Sequence, residues 1–383
     1  MKKILLGLMC TVLAAASFVS CNKKKVVEEE KITLRVAMVT DYGDITDQSF
    51  NQTTYEACKS FCESRGLDLR YYKPANDSTE ARVSSINAAI QDDYNVVVLP
   101  GFAFSEALVK TVDENPEVTF VALDVSEFDV LTAAKAFGKP DGWKLPSNAF
   151  CAVYKEELPG FMAGYAAVKE GYKHLGFLGG MAVPAVIRFG YGFVLGADKA
   201  ATEMGIAKDV VVEFVYGGQF YGDQTITSSM DAWYLQRGVE VVFACGGGIW
   251  TSAAEAAAKV GGKVIGVDVD QSALINKYGD GMCVTSAMKS LAATVNATLS
   301  SALDGSFKTE FGGTITALGL VSDKEVDENF VGLPTDTWSM KKFTVADYKT
   351  LVADMFYGKV TVSDDISALP KVSVKLNVYP NIK

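Results

Sequence analysis

Asn95 to Ser126 reads NVVVLPGFAFSEALVKTVDENPEVTFVALDVS, and Glu240 to Gln271 reads EVVFACGGGIWTSAAEAAAKVGGKVIGVDVDQ. Each is an apolar run, a Gly-containing turn, a helical stretch and a second apolar run, so one unit occurs twice. Each copy closes its second apolar run on an acid, Asp124 or Asp268, and the two acids lie 144 residues apart, about one domain length. Two similar lobes would present matching acids to one cleft.

The pattern extends outward from both copies. From Leu34 the chain runs RVAMVT, a helical stretch from Gln52 to Arg65 closed by Gly66, LDLRYY, a second stretch from Ser78 to Ile90, and NVVVLP. The same order resumes at His174 with HLGFLG, a helix from about Gly190 to Met204, VVVEFVY, a helix from about Gln224 to Arg237, and VEVVFAC. Matching positions keep their spacing: Arg35 and His174 are 139 apart, and Tyr71 with Val215 and Val97 with Val241 are each 144 apart. Near-continuous apolar strands separated by helices predict an α/β protein with parallel sheets covered on both faces. Right-handed crossovers then gather the loops that follow each strand along one edge, where open α/β sheets bind ligands.

Three places read as connections between lobes: Phe150 to Lys169, with Pro159 and Gly160 ahead of the small-residue stretch Phe161 to Val168, then Gly281 to Met288, and a third after Gly319. Thr344 to Tyr357 reads as a further helix capped by Thr344 with Asp347, ahead of a strand-rich tail from Val360 to Lys383. The expected organisation is one lobe of residues 33–155 plus about 289–320 and another of 156–288 plus about 335–383, joined by a multi-strand hinge that favours closure around a ligand.

With 383 residues, 49% hydrophobic and 21% charged, the chain has the core material of a two-domain globular protein. Residues 1–20 carry Lys2 and Lys3, an apolar run from Ile4 to Val19 and small Ser20 before Cys21, which reads as a signal peptide rather than a membrane span. Phe18-Val19-Ser20-Cys21 resembles a lipobox, with Cys21 as the acylated first residue; secretion with a free Cys21 thiol is the alternative. Residues 21–32 would form a charged tether. Loss of Lys2 and Lys3 takes the net charge from −10 to −12, so the mature chain lacks the basic footprint of a nucleic-acid binder. Cys58, Cys62, Cys151, Cys245 and Cys283 remain, an odd number without disulfide-framework spacing, and Cys58 and Cys62 read as small buried residues of one helix face.

The densest polar loop, Thr40 to Gln52, follows the first strand at the predicted binding edge. Asp41 has nothing local to cap and is a ligand candidate; Asp47 is either a helix cap or a ligand contact. Phe50 and Phe220 are either core residues or stacking faces, and Phe220 sits among Gly217, Gly218, Gln219, Tyr221 and Gly222, an odd home for a core residue. Gly246, Gly247 and Gly248 would let backbone approach a ligand, though no phosphate-loop Lys follows. Lys289 is either a solvated lysine or the cation that keeps the acids ionised. His174 is the only histidine, so relay or metal chemistry has no second member, and no nucleophile elbow occurs. Hydrolysis by an acid cluster is the remaining enzymatic alternative. No cofactor is expected.

The stretch VTDYGDITDQSFNQ resembles the opening motif of the bacterial basic membrane protein (Bmp) family, lipoproteins that deliver substrate to ABC transporters. LGFLGGMAVPAVIRFGYGF (Leu175 to Phe193), VYGGQFYGD (Val215 to Asp223), FACGGG (Phe243 to Gly248), GVDVDQ (Gly266 to Gln271), TSAMK (Thr285 to Lys289) and GGTITALGL (Gly312 to Leu320) resemble that family's blocks in order. The resemblance runs from Leu34 to about Leu333 and is nearest to the purine nucleoside receptor (PnrA-like) lipoproteins. It implies a two-lobe, type I periplasmic-binding-protein fold that captures adenosine, guanosine or inosine and hands it to ABC permease and ATPase subunits. It implies that Phe50 and Phe220 sandwich the base, that Asp268 and Lys289 hold the ribose, that Asp41 and Asp124 contact the ligand from the first lobe on the base side, and that backbone near Gly246 makes contact. Tyr42 falls at a contact position where a smaller polar residue is usual. The expected protein is a lipid-anchored, exported monomer; another small solute (sugar, riboflavin or a signalling molecule) or a surface adhesin with a vestigial cleft are the other readings.

Overall fold

The computed structural model describes residues 33–41 and 43–383. The signal peptide, Cys21, its tether and Tyr42 lie outside the described residues. Thirteen strands among these residues form two sheets. The first holds β1 (Arg35–Val39), β2 (Asp68–Tyr72), β3 (Val96–Pro100), β4 (Thr119–Leu123) and β5 (Ala149–Tyr154). The second holds β6 (His174–Gly179), β7 (Val211–Tyr216), β8 (Val241–Cys245), β9 (Lys263–Asp268) and β10 (Cys283–Lys289). The two orders match strand for strand, 5-4-3-1-2 and 10-9-8-6-7, all parallel, so the doubled sequence is a doubled topology.

Three later strands complete the edges. β11 (Thr314–Leu318) joins β5 in parallel, β12 (Val331–Gly332) lies antiparallel to β10, and β13 (Lys375–Val378) lies parallel to β7. The chain therefore passes from the first sheet to the second after β5, returns after β10 into the helix Leu291–Asp304, and crosses again between β11 and β12. The tail expected to be strand-rich contains this one short strand, because most of residues 360–374 lack the alternation that a ladder needs.

Helices cover both faces, as buried parallel strands require. Val36, Ala37, Met38 and Val39 of β1 are all fully buried, and so is every residue of β3. The helix Glu157–Glu170 lies directly on Pro184–Glu203 because glycine removes the side chains between them: a Cβ on Gly160 or Gly164 would stand 2.3 or 2.0 Å from the carbonyl oxygens of Phe189 or Phe193. The Pro184 helix begins six residues before the expected Gly190, with Pro184 at the first turn where its missing N–H costs nothing. The stretch expected as one helix to Arg237 is α-helical to Asp231 and finishes in a π-helical turn closed by left-handed Gly238. Thr344 and Asp347 form the expected reciprocal cap on Val345–Phe356. Cys58, Cys62, Cys151, Cys245 and Cys283 are unpaired and buried. Among the described residues, no helix is long and apolar enough to cross a membrane.

Candidate functional site

The strand ends of both sheets meet around a cavity of about 740 Å³, within the range of small-molecule sites. Asp41, Phe50 and Asp124 reach it from the first sheet; Phe220, Gly246, Asp268 and Lys289 reach it from the second. Apart from Tyr42, every residue singled out by sequence for ligand contact lines this one space.

After β1 the chain turns sharply through Asp41, whose Oδ1 accepts the Gly43 N–H at 2.9 Å. Its Oδ2 side lies against Gly101, where an added Cβ would stand 2.3 Å away and the backbone is already left-handed at φ +124°. Asp47 accepts the N–H groups of Ser49, Asn51 and Gln52 at 2.9 to 3.0 Å, so its carboxylate caps the helix Phe50–Glu63 and sets where Phe50 emerges.

Lys289, the last residue of β10, is buried. Its Nζ lies 2.7 Å from Asp124 Oδ2, 3.1 Å from Glu156 Oε1 and 3.9 Å from Asp268 Oδ1. Aromatic rings close in around the ammonium, with the centres of Phe50, Tyr154 and Phe189 at 4.9, 5.5 and 5.5 Å. Burial opposes the charge on Lys289, but Asp124, Glu156 and Asp268 outweigh it and hold its pKa above the ordinary lysine value. Burial pushes the Asp124 carboxyl up to about 6 despite the Lys289 pairing. Burial likewise raises Glu156, but Lys289 and Arg188 overcome it and keep that carboxyl below its usual range; Arg188 Nε donates to Glu156 Oε2 at 2.5 Å. Asp124 Oδ1 is buried at the cavity wall and, among the described residues, has no hydrogen-bond partner.

On the second sheet, bare backbone receives Phe220. Cβ atoms built on Gly180 and Gly246 would stand 2.4 and 2.8 Å from its ring, and Gly246 holds φ +131°. The Gly248 N–H donates to the Phe220 carbonyl at 2.8 Å, tying the loop after β7 to the loop after β8. The glycines thus leave room for the Phe220 ring at the cavity wall.

Besides the Lys289–Asp124 ion pair, two further hydrogen bonds join the lobes across the cleft. Ser49 Oγ donates to Asp268 Oδ2 at 2.6 Å, and Gln271 Nε2 donates to the Gln48 carbonyl at 2.9 Å. Gln48 sits in the left-handed region at φ +55°, and the paired acids Asp124 and Asp268 do so too, at +59° and +64°. Asp tolerates this conformation better than most residues, at some cost in strain.

Sequence reasoning missed Glu156, Arg188, Phe189, Ser49 and Gln271. Pro184 as a helix start would have placed Arg188 and Phe189 on the second helical turn, close to the strand ends; nothing local marks Glu156, whose partners come from β10 and the Pro184 helix. His174, the sole histidine, begins β6 half-buried, its ring nitrogen 2.9 Å from Glu213.

The family model described as ABC transporter substrate-binding protein PnrA-like (Bmp) matches residues 34–336. The ABC transporter nucleoside-binding protein BmpA of Lactococcus lactis subsp. cremoris is 30% identical over 351 residues, covering 87% of this chain and 90% of that protein. Basic membrane protein B of Borreliella burgdorferi is 26% identical over 265 residues, covering 67% of this chain and 71% of that protein. Among solved structures, solute-binding proteins of ABC transporters from Aeropyrum pernix and Conexibacter woesei share the fold. Their TM-scores are 0.63 and 0.65 at 22% and 20% identity, each covering 86% of this chain and 87% and 99% of the other. Such proteins bind solutes outside the cytoplasm for a membrane permease and are not enzymes. The chain belongs to the Bmp family of PnrA-like ABC transporter substrate-binding proteins.

Proposed function

We propose that this protein captures purine nucleosides between its two lobes and delivers them to an ABC permease, acting as a monomer held at the membrane by an acylated Cys21. The observation that carries the reading is the placement of Phe50 and Phe220, one from each lobe, on a single cavity that also holds Asp41, Asp124, Asp268 and Lys289. A purine offers two flat faces, and stacking contributes about 1 to 3 kcal/mol per base. Ribose offers hydroxyl donors, and hydrogen bonds to charged acceptors contribute about 1.5 to 3 kcal/mol each. The unpartnered Asp124 Oδ1 is such an acceptor. Because Asp124 pairs with Lys289, we place both on the sugar side with Asp268, and Asp41 towards the base.

Cavity charge narrows the ligand further. Asp41, Asp124 and Asp268 outnumber Lys289, whose charge is already shared with Glu156, so an added phosphate would meet net repulsion. The name of the Lactococcus relative supports the nucleoside reading. Closure would be the mechanism: ligand contacts on both lobes favour the shut form.

The test is thermal denaturation with adenosine, guanosine, inosine, AMP and free ribose. A ligand bound only by the folded state raises its stability by RT ln(1 + [L]/Kd), so the nucleosides should raise Tm and AMP and ribose should not. No shift with any nucleoside sinks the proposal; a shift with sugars alone would favour a sugar-binding protein. Cys21→Ser should release the protein from membranes and abolish labelling by palmitate.

A further inference from the structure

We infer that residues 375–383 form a strap that holds the Phe220 loop in its ligand-binding position, with Lys383 and Asp223 as the positioning pair. The inference rests on the reading of Phe220 as a ligand contact. The strap lies beyond residue 336, where the match to the family model ends.

The strap follows β7 along its whole length and ends on the loop that β7 feeds. β13 pairs in register from Lys375 with Val211 to Val378 with Phe214. The pairing continues past the strand, with Tyr379 N–H donating to the Phe214 carbonyl and Ile382 N–H to the Tyr216 carbonyl, both at 2.9 Å. Midway, buried Glu213 anchors it: Tyr379 Oη donates to Glu213 at 2.5 Å and Asn377 Nδ2 at 3.2 Å. The Tyr379 ring lies 4.5 Å from the Arg237 guanidinium and 6.0 Å from Trp233. A strap with these attachments has a fixed end.

That end sits on the loop. Lys383 Nζ pairs with Asp223 and donates to Gln219 Oε1 at 3.1 Å, while Gln219 Nε2 donates to Asp223 Oδ2 at 3.0 Å. Lys383 thus joins the residue before Phe220 to the residue that closes the loop. Asp223 is itself fixed, since its other oxygen caps the helix Gln224–Asp231 through the Thr225 and Ile226 N–H groups at 2.9 and 3.0 Å. The Lys383 carbonyl also packs on Gly218, where a Cβ would stand 2.7 Å from it. A loop held only by its own backbone would sample other positions of Phe220; tied at Gln219, Gly218 and Asp223, it is pre-organised, which lowers the cost of binding.

The test compares Lys383→Ala, Lys383→Arg and a chain ending at Val378, by hydrogen exchange of residues 217–223 without ligand and by adenosine titration. Exchange in the loop should rise in Lys383→Ala and further in the truncation, and Lys383→Arg should restore it. Adenosine Kd should rise about threefold in Lys383→Ala, through faster dissociation, and about tenfold in the truncation. In a Phe220→Ala background the Lys383→Ala change should leave Kd unaltered, because the strap acts through that ring. Unchanged loop exchange in Lys383→Ala overturns the proposal, as does faster exchange with unaltered Kd, or an equal loss of affinity with and without Phe220. If the unmodified protein binds no adenosine, the nucleoside reading fails, and loop exchange alone decides whether the strap holds the loop.

Discussion

Replacing Lys289 by Met keeps most of the side-chain volume and removes the charge that Asp124, Glu156 and Asp268 share at 2.7, 3.1 and 3.9 Å. Arg188 stays with Glu156, so Asp124 and Asp268 bear the loss. Breaking a buried pair from one side costs about 3 to 5 kcal/mol. The folded unit spans about 350 residues, and an unfolding entropy of about 2.1 cal/mol/K per residue gives about 0.7 kcal/mol/K, so Tm at pH 7.5 should fall by about 4 to 7 °C. The sign of its pH dependence follows from Asp124. Its carboxyl already stands at about 6 against an ordinary 3.8, and loss of Lys289 raises it further. Between the unfolded and folded values the native state binds more protons than the unfolded one, so stability falls as pH rises through that window. The deficit of Lys289→Met should therefore be largest above about pH 7 and shrink towards pH 5. Calorimetry of both proteins at pH 5, 6 and 7.5 measures it. A Tm equal to that of the parent at pH 7.5, or a deficit that does not change with pH, would refute the reasoning.

Phe220→Ala should weaken adenosine binding by about 5- to 140-fold, the equivalent of about 1 to 3 kcal/mol of stacking, as read by calorimetric titration; a Kd within twofold of the parent counts against the sandwich. Gly246→Ala should displace the Phe220 ring, since the new methyl would stand 2.8 Å from it on a backbone at φ +131°, and titration should show at least a tenfold loss. If the ligand requires ionised Asp124, the carboxyl at about 6 makes binding about tenfold weaker at pH 5 than at pH 7.5, and Asp124→Asn should flatten that profile. Gln271→Ala removes the donor to the Gln48 carbonyl across the cleft, a bond of about 0.5 to 1.5 kcal/mol, so stopped-flow dissociation should quicken by about 2- to 10-fold with little change in association.

Strands were the most legible part of the chain. RVAMVT, NVVVLP and HLGFLG lie within one residue of β1, β3 and β6, because a strand buried on both faces writes a continuous apolar run into sequence. The Pro184 helix was legible only from Gly190 onward: its first six residues, PAVIRF, follow a glycine pair and open on a proline, which reads as loop although proline is at home in a first helical turn. The same distinction runs through the site. Asp41, Asp124 and Asp268 announce themselves as polar residues at the ends of apolar runs. Glu156 does not, since its partners Lys289 and Arg188 are distant in sequence and its burial exists only once both lobes have formed. For Asp47, helix capping was legible as one of two roles, and the three backbone N–H groups it accepts establish that role.

The order in which the chain visits the two sheets has a consequence for how they are made. β11 pairs Thr314 with Phe150, and β13 pairs Lys375 with Val211, so neither sheet can gain its last edge until most of the polypeptide is present. Such distant pairings raise contact order, and high contact order slows folding because loop closure must precede the contacts that reward it. Strands β1 to β5 and β6 to β10 each pair within their own half of the chain, so the two lobes can take shape separately and the edges supplied by β11 and β13 lock them last.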